Sequence, residues 1–199
     1  MMLGLPSSIE MRKQIPKDVF FKSKEIKGSE KQRFDQQVHK FTVVGIISPQ
    51  TVNIESGVGI SAIYVIEIQL NTKQYDSRII DSLERLGHKA IYLLSFDDSL
   101  QIAVKEGLLF HSDWKTEDEL NIELVGLNLD EVWANIVRRL GDLPDEGEFK
   151  DVIDNTVRNA AIRNQIEALE KKMAKEKQNH VLRELYAQIQ ELKSQLRNN

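Results

Sequence analysis

Ile60-Ser61-Ala62-Ile63-Tyr64-Val65-Ile66-Glu67-Ile68-Gln69-Leu70 is the most strand-like stretch of the chain. Ile60, Ala62, Tyr64, Ile66, Ile68 and Leu70 fall on one face and Ile63 and Val65 on the other, because successive side chains of a strand alternate. Apolar residues on both faces near the middle predict a central strand, covered there from both sides. Asp76 then opens a helix in which Ile79, Ile80, Leu83 and Leu86 follow the 3.6-residue period, and Gly87 supplies its left-handed stop. Residues 90–96 form a second apolar strand. The result is a β-α-β unit, and a right-handed crossover sets its two strands parallel.

Working outward, residues 41–48 alternate Phe41, Val43 and Ile47 with Val44 and Ile46, and Ser48-Pro49 ends them in a turn. Asp97-Asp98-Ser99 is a turn that pairs 90–96 with 100–105 as a hairpin. Residues 107–110 and 120–125 are shorter strand candidates. Asn128 and Glu131 offer a capping box for a helix whose stripe is Leu129, Val132, Trp133, Ile136, Val137 and Leu140, ending at Gly141. Toward the start, Ser7 or Ser8 caps a short helix over 9–15 that Pro16 stops, a helical turn covers 17–22, and a helix follows over 30–37 after Gly28-Ser29. The fold class is α+β: a mixed sheet of about five or six strands packed with helices. We expect residues 1–40 to be an irregular, partly helical lead-in, 41–144 the core domain and 145–199 a helical arm.

The arm has neither proline nor glycine after Gly147, and Asp145 with Glu148 offers a further capping box. Ile162, Ile166, Leu169 and Met173 recur at spacings of 4, 3 and 4; Leu182, Leu185, Ile189, Leu192 and Leu196 recur at 3, 4, 3 and 4. Each series is a coiled-coil-like seam. Leu182 follows Met173 by nine positions, so one uninterrupted register cannot hold both. The intervening Lys175-Glu176-Lys177-Gln178-Asn179-His180 is polar, and Asn179 tolerates the left-handed conformation that closes a helix. An antiparallel hairpin, about 148–177 followed by 180–196, is favoured over one long rod. The seam needs a mate, which is a second copy, another protein or, as the alternative, the chain's own domain.

No cysteine is present, which removes disulfides, thiolate nucleophiles and Cys-type zinc sites. No apolar run approaches the roughly 20 residues of a membrane span, and the N-terminus lacks the pattern of a secretory signal, so a cytoplasmic location is expected. Residues 10–40 carry nine Lys/Arg against five Asp/Glu, whereas 41–147 carry eight against eighteen. Within that basic front, Lys22, Lys24, Lys27, Lys31 and Arg33 are the candidate nucleic-acid contacts; a solvated helix face is the ordinary alternative.

The opening Met2-Leu3-Gly4-Leu5-Pro6-Ser7-Ser8, the pair Ile15-Pro16-Lys17, the strand Ile66-Glu67-Ile68-Gln69-Leu70, the segment His111-Ser112-Asp113-Trp114, the stretch 126–132 and the tail Leu169-Glu170-Lys171-Lys172 together resemble a bacterial domain-of-unknown-function family, numbered forty-three ninety-one. Trp133 stands where that family more often has tyrosine. The resemblance implies no catalytic residues. It implies an accessory protein of bacterial genome islands, near helicases and DNA methyltransferases of restriction type, and hence phage defence.

Two clusters are weak candidates for chemistry. Glu67-Ile68-Gln69 faintly resembles the acidic strand of the restriction-endonuclease-like core, where carboxylates hold a divalent metal and a lysine two residues on activates water. Gln69 is not that lysine, and a second carboxylate would have to be Glu55 or Asp76. His111 and Asp113, beside Trp114, offer an acid–base pair, against the commoner case of a polar loop anchored by a tryptophan. His39, His88 and His180 stand alone, and no metal site or cofactor is expected. Gly57-Val58-Gly59 precedes a strand and reads as a turn. The leading expectation is a non-enzymatic adaptor acting through its arm; the alternative is a metal-dependent nuclease-like or nucleic-acid-binding module.

Overall fold

The computed structural model describes residues 3–197 and divides into two compact units, 1–145 and 146–199. The first unit is built on a mixed sheet of six strands in the spatial order β1 (Glu10–Gln14), β2 (Val38–Ile47), β3 (Ile63–Leu70), β4 (Lys89–Phe96), β5 (Ser99–Glu106), β6 (Leu108–His111). All neighbours pair antiparallel except β3 and β4, which run parallel in continuous register from Ile63↔Lys89 to Gln69↔Ser95. The crossover between them is α4 (Arg78–Glu84), closed by Gly87 at φ +80°.

Both faces of the sheet are covered, as a parallel pair requires. One face presents Val43, Ile66, Ile68, Ala90, Tyr92, Leu94 and Ala103 to α1 (Lys17–Ser23), α2 (Gly28–Gln37) and α4. At its centre Phe34, fully buried, stands 5.4–5.6 Å from the rings of Phe20, Phe21 and Phe41. The opposite face carries the alternate residues Val65, Ile91, Leu93, Ile102 and Val104, all buried. Against β5 and β6 on that side lies α5 (Leu129–Gly141), which buries Leu129, Val132, Trp133, Ile136 and Val137. Trp133 also donates its indole N–H to Glu106 (2.6 Å), which in turn pairs with Lys89.

The first forty residues, read from sequence as a lead-in, are integral to this unit: Leu3, Leu5, Ile9, Phe20, Phe21, Ile26 and Phe34 are all buried. Residues 9–15 are not a helix. A 3₁₀ turn at Ser7–Ile9 leads into β1, which has no 3.6-residue apolar stripe and satisfies the free backbone edge of β2. Residues 120–125 are not a strand either. Leu120 and Ile122 are buried, but the Ile122 N–H bonds only to the Leu3 carbonyl and no ladder forms. Strand β3 starts at Ile63, because the Gly57 N–H bonds to Ile60 O and draws 57–60 into a turn. Between β2 and β3, Ser48 and Thr51 form a capping box that makes Pro49–Val52 a one-turn helix, α3, instead of a plain turn.

The second unit consists of α6 (Phe149–Met173) and α7 (Asn179–Arg197), an antiparallel pair. Asp145 and Glu148 make no capping box: Glu148 is the N-cap and its side chain bonds nothing there. Asn179 does not adopt the left-handed conformation and instead opens α7. The link is held by Glu176, whose carboxylate accepts from the Lys177 and Gln178 N–H groups (2.7 and 2.8 Å).

Asp76 ties α2 to the start of α4. Its carboxylate accepts from the Arg78 backbone (3.0 Å) and guanidinium and pairs with Arg33 at 3.1 Å. Those contacts, the Arg78 side-chain hydrogen bond first, lower its pKa from 3.8 to about 2. A depressed folded-state pKa gives stability that is complete above the unfolded value and lost as pH falls through the folded one. The stability difference between wild type and Asp76→Asn, measured by urea unfolding, should therefore narrow as pH drops from 3.8 to about 2; a constant difference contradicts the assignment. Phe34→Ala should cost about 3–5 kcal/mol in the same measurement at neutral pH, and a loss below about 1 kcal/mol would show that the aromatic cluster does not anchor α2.

Candidate functional site

Glu67 lies mid-strand on β3, where its cross-strand neighbours are Thr42 of β2 and Leu93 of β4, both buried. Its carboxylate is half-buried and has no hydrogen bond or ion pair among the described residues. Neither proposed partner joins it. Asp76 is committed to Arg33 and Arg78, and the Glu55 backbone bridges to Asn128 at the entrance of α5. Among the described residues no three His, Asp or Glu side chains gather where they could hold a metal ion. A lysine does stand nearby: Lys40 of β2 is the register partner of Gln69, and both are exposed.

His111 and Asp113 are both exposed, and the residue that organises their loop is one the sequence did not single out. Gln101, 4% exposed, accepts from the Tyr75 hydroxyl (2.7 Å) and donates to the Ser112 carbonyl (2.8 Å). His111 Nδ1 lies 3.3 Å from the same amide. Trp114 packs edge-on to Tyr75, and the Ser112 hydroxyl accepts from Ile102 N and donates to the Asp113 carbonyl. The Gln101 amide, the Ser112 hydroxyl and carbonyl, and the Asp113 carbonyl are thus engaged in holding the loop's shape, and the Asp113 carboxylate makes no hydrogen bond to His111. A buried glutamine at a strand position was the only signal available.

The basic front divides. Arg33 pairs with Asp76, and Lys31 lies 3.8 Å from Asp18 and 5.2 Å from the Phe21 ring. Lys22, Lys24 and Lys27 make no ion pair among the described residues. Three such lysines, Lys22 at the end of α1 and Lys24 and Lys27 in the link to α2, are a modest electrostatic footprint.

Gly57-Val58-Gly59 is a nest already occupied from within. The Asp130 carboxylate, in the first turn of α5, accepts from Val58 N (2.7 Å) and Gly59 N (3.1 Å). A Cβ at Gly57 would fall 2.2 Å from that carboxylate, which accounts for the glycine. Asn128 caps α5 by accepting from Asp130 N and Glu131 N, while Glu131 reaches back to Leu127 N, one residue beyond the capping-box position. A partly buried polar pair is formed by Tyr92, whose hydroxyl donates to Glu84 at 2.5 Å. Burial raises the pKa of both groups.

In the helical unit the two apolar rows face each other. Ile162, Ile166 and Ile189 form its buried centre, with Leu169, Met173, Leu192 and Leu196 half-buried around them. Leu185 is buried as well, Leu182 is half-buried, and Tyr186 is 58% exposed. Gln165, Ala168, Leu169, Gln188, Leu192 and Gln195 border an open groove along the pair. The rows are thus each other's first mate. Two helices enclose only a line of contact, so the flanks of the rows stay accessible to water.

No helix among the described residues is long and apolar enough to cross a membrane. No curated protein and no solved structure matches the chain. A family model does, over residues 3–196: the domain of unknown function DUF4391. With nearly its whole length matched, the chain belongs to that family.

Proposed function

We propose that the chain is a non-enzymatic accessory or adaptor protein of a bacterial defence or restriction-type system, working through protein–protein contacts made by the α6–α7 hairpin. The observation that carries this reading is the row of half-covered apolar side chains, Leu169, Met173, Leu182, Leu192 and Leu196, left along a two-helix unit that has buried only its centre. Completing the burial of such a side chain adds roughly 1 kcal/mol. Five of them supply on the order of 5 kcal/mol, comparable to the lower estimates of the rigid-body cost of association. The row alone therefore sustains a transient contact, and a lasting one requires additional surface, either a second hairpin or a larger partner.

Sedimentation over a concentration series, together with affinity capture from the native host, tests this in wild type and in Tyr186→Glu/Leu192→Glu. Wild type should gain mass or retain one partner at fixed stoichiometry. The double variant, helical by circular dichroism, should do neither. A wild-type chain that stays monomeric and retains nothing removes the reading.

A second reading, a metal-dependent nuclease-like or nucleic-acid-binding module, is favoured by the unpartnered Glu67 beside the cross-strand Lys40 and Gln69. It lacks a companion carboxylate. Incubation with DNA and RNA, with and without magnesium, should give no cleavage; magnesium-dependent cleavage lost in Glu67→Ala would replace the first reading by the second. Salt-sensitive binding without cleavage, weakened by charge reversal at Lys22, Lys24 and Lys27, would favour the binding module.

A further inference from the structure

The sheet face that carries α1 and α4 is not filled along its β1 side. A cavity of about 490 Å³ opens there, inside the roughly 300–1,000 Å³ range of small-molecule sites. Its interior is apolar, with Val43, Ile66, Leu83 and Ala90 among its walls. Ala90 is the smallest side chain of that wall. It is the register partner of Tyr64 and opens a β4 run that continues Ile91, Tyr92, Leu93, Leu94, so the one small side chain of the run sits where a larger one would close the space.

The polar lining carries no carboxylate among the described residues, and the hydroxyl of Tyr92, which also lines it, is taken up by Glu84. Lys13 of β1 and His88 at the start of β4 contribute nitrogen groups, Gln14 an amide and Tyr64 a phenol. Tyr64 and His88 stack at 4.5 Å and 25°, forming one flat wall. Lys13 is exposed and takes part in no ion pair among the described residues. An ammonium without a counter-charge beside an apolar hollow is complementary to a molecule with a greasy body and a single negative end.

We propose that this cavity binds an amphipathic organic acid, its apolar body over Ile66 and Ala90 and its carboxylate at Lys13. The apolar part provides most of the affinity, and the lysine selects the sign of the head group. This site is in the sheet unit and is independent of the hairpin and its partner.

Titration calorimetry of the full chain with decanoate, below the concentration at which it forms micelles, tests the proposal. Saturable binding at one site is expected, with octanoate weaker by about fourfold per methylene removed. Decyltrimethylammonium should bind at least about tenfold more weakly than decanoate. Lys13→Glu, a change on an exposed edge strand, should remove that preference while leaving the thermal midpoint unchanged. Absence of saturable decanoate binding overturns the proposal, as does equal binding of the two head groups by wild type, or an unaltered preference in Lys13→Glu.

Discussion

The parallel pairing of β3 with β4 is the constraint from which the first unit follows. Parallel neighbours need a crossover, and a sheet with apolar residues on both faces needs cover on both. Residues 71–88 meet the first requirement with α4, on the face where Phe20, Phe21, Phe34 and Phe41 gather. The second is met by α5 with Leu129, Val132, Trp133, Ile136 and Val137. The outer strands then add by antiparallel pairing, β2 and β1 on one side, β5 and β6 on the other. The cavity beside β1 lies in the same layer, lined by residues of α1 and α4 and, on the sheet, by Val43, Ile66 and Ala90.

The helical unit obeys a different economy. A helix in isolation is marginal in water, and the two rows of leucine and isoleucine solve that by facing each other. A spacing of nine from Met173 to Leu182 is too long for a heptad and too short for an independent element, and the Glu176 carboxylate turns the chain by receiving the Lys177 and Gln178 N–H groups. What remains for another molecule is the flank of the pair, not its centre. That distinction shapes the proposed function, because it limits the energy the arm can contribute by itself.

Local periodicity made the fold legible wherever it coincided with a long-range partner. The strand–helix–strand unit, the β4–β5 hairpin and α5 each carry a pattern that their neighbours reinforce. The failures lie where alternation and partner separate. Residues 9–15 carry no stripe and become β1 only because β2 has a free edge; residues 120–125 alternate well but find no ladder. The helix start at Phe149 has a plausible box in sequence, yet the N-cap there is Glu148, whose side chain makes no capping bond. Among the site candidates, sequence gave residue types but not their commitments: Asp76 belongs to two arginines, and the loop of His111 and Asp113 is organised by Gln101, a residue identifiable only from its burial. Lys13, Tyr64 and His88, which come together at the cavity, are 75 positions apart in the chain at the extremes and share no motif.

The two apolar rows of the arm are consumed against each other, with an open groove along their flank. Because the chain has no cysteine, spin labels placed at Gln165 and Gln188, both exposed on the border of that groove, report the geometry without background. A single short separation within one chain is expected, under about 20 Å, as for adjacent helices whose axes lie 8–10 Å apart. A separation near 35 Å, the span of 23 residues in one continuous helix, would contradict it.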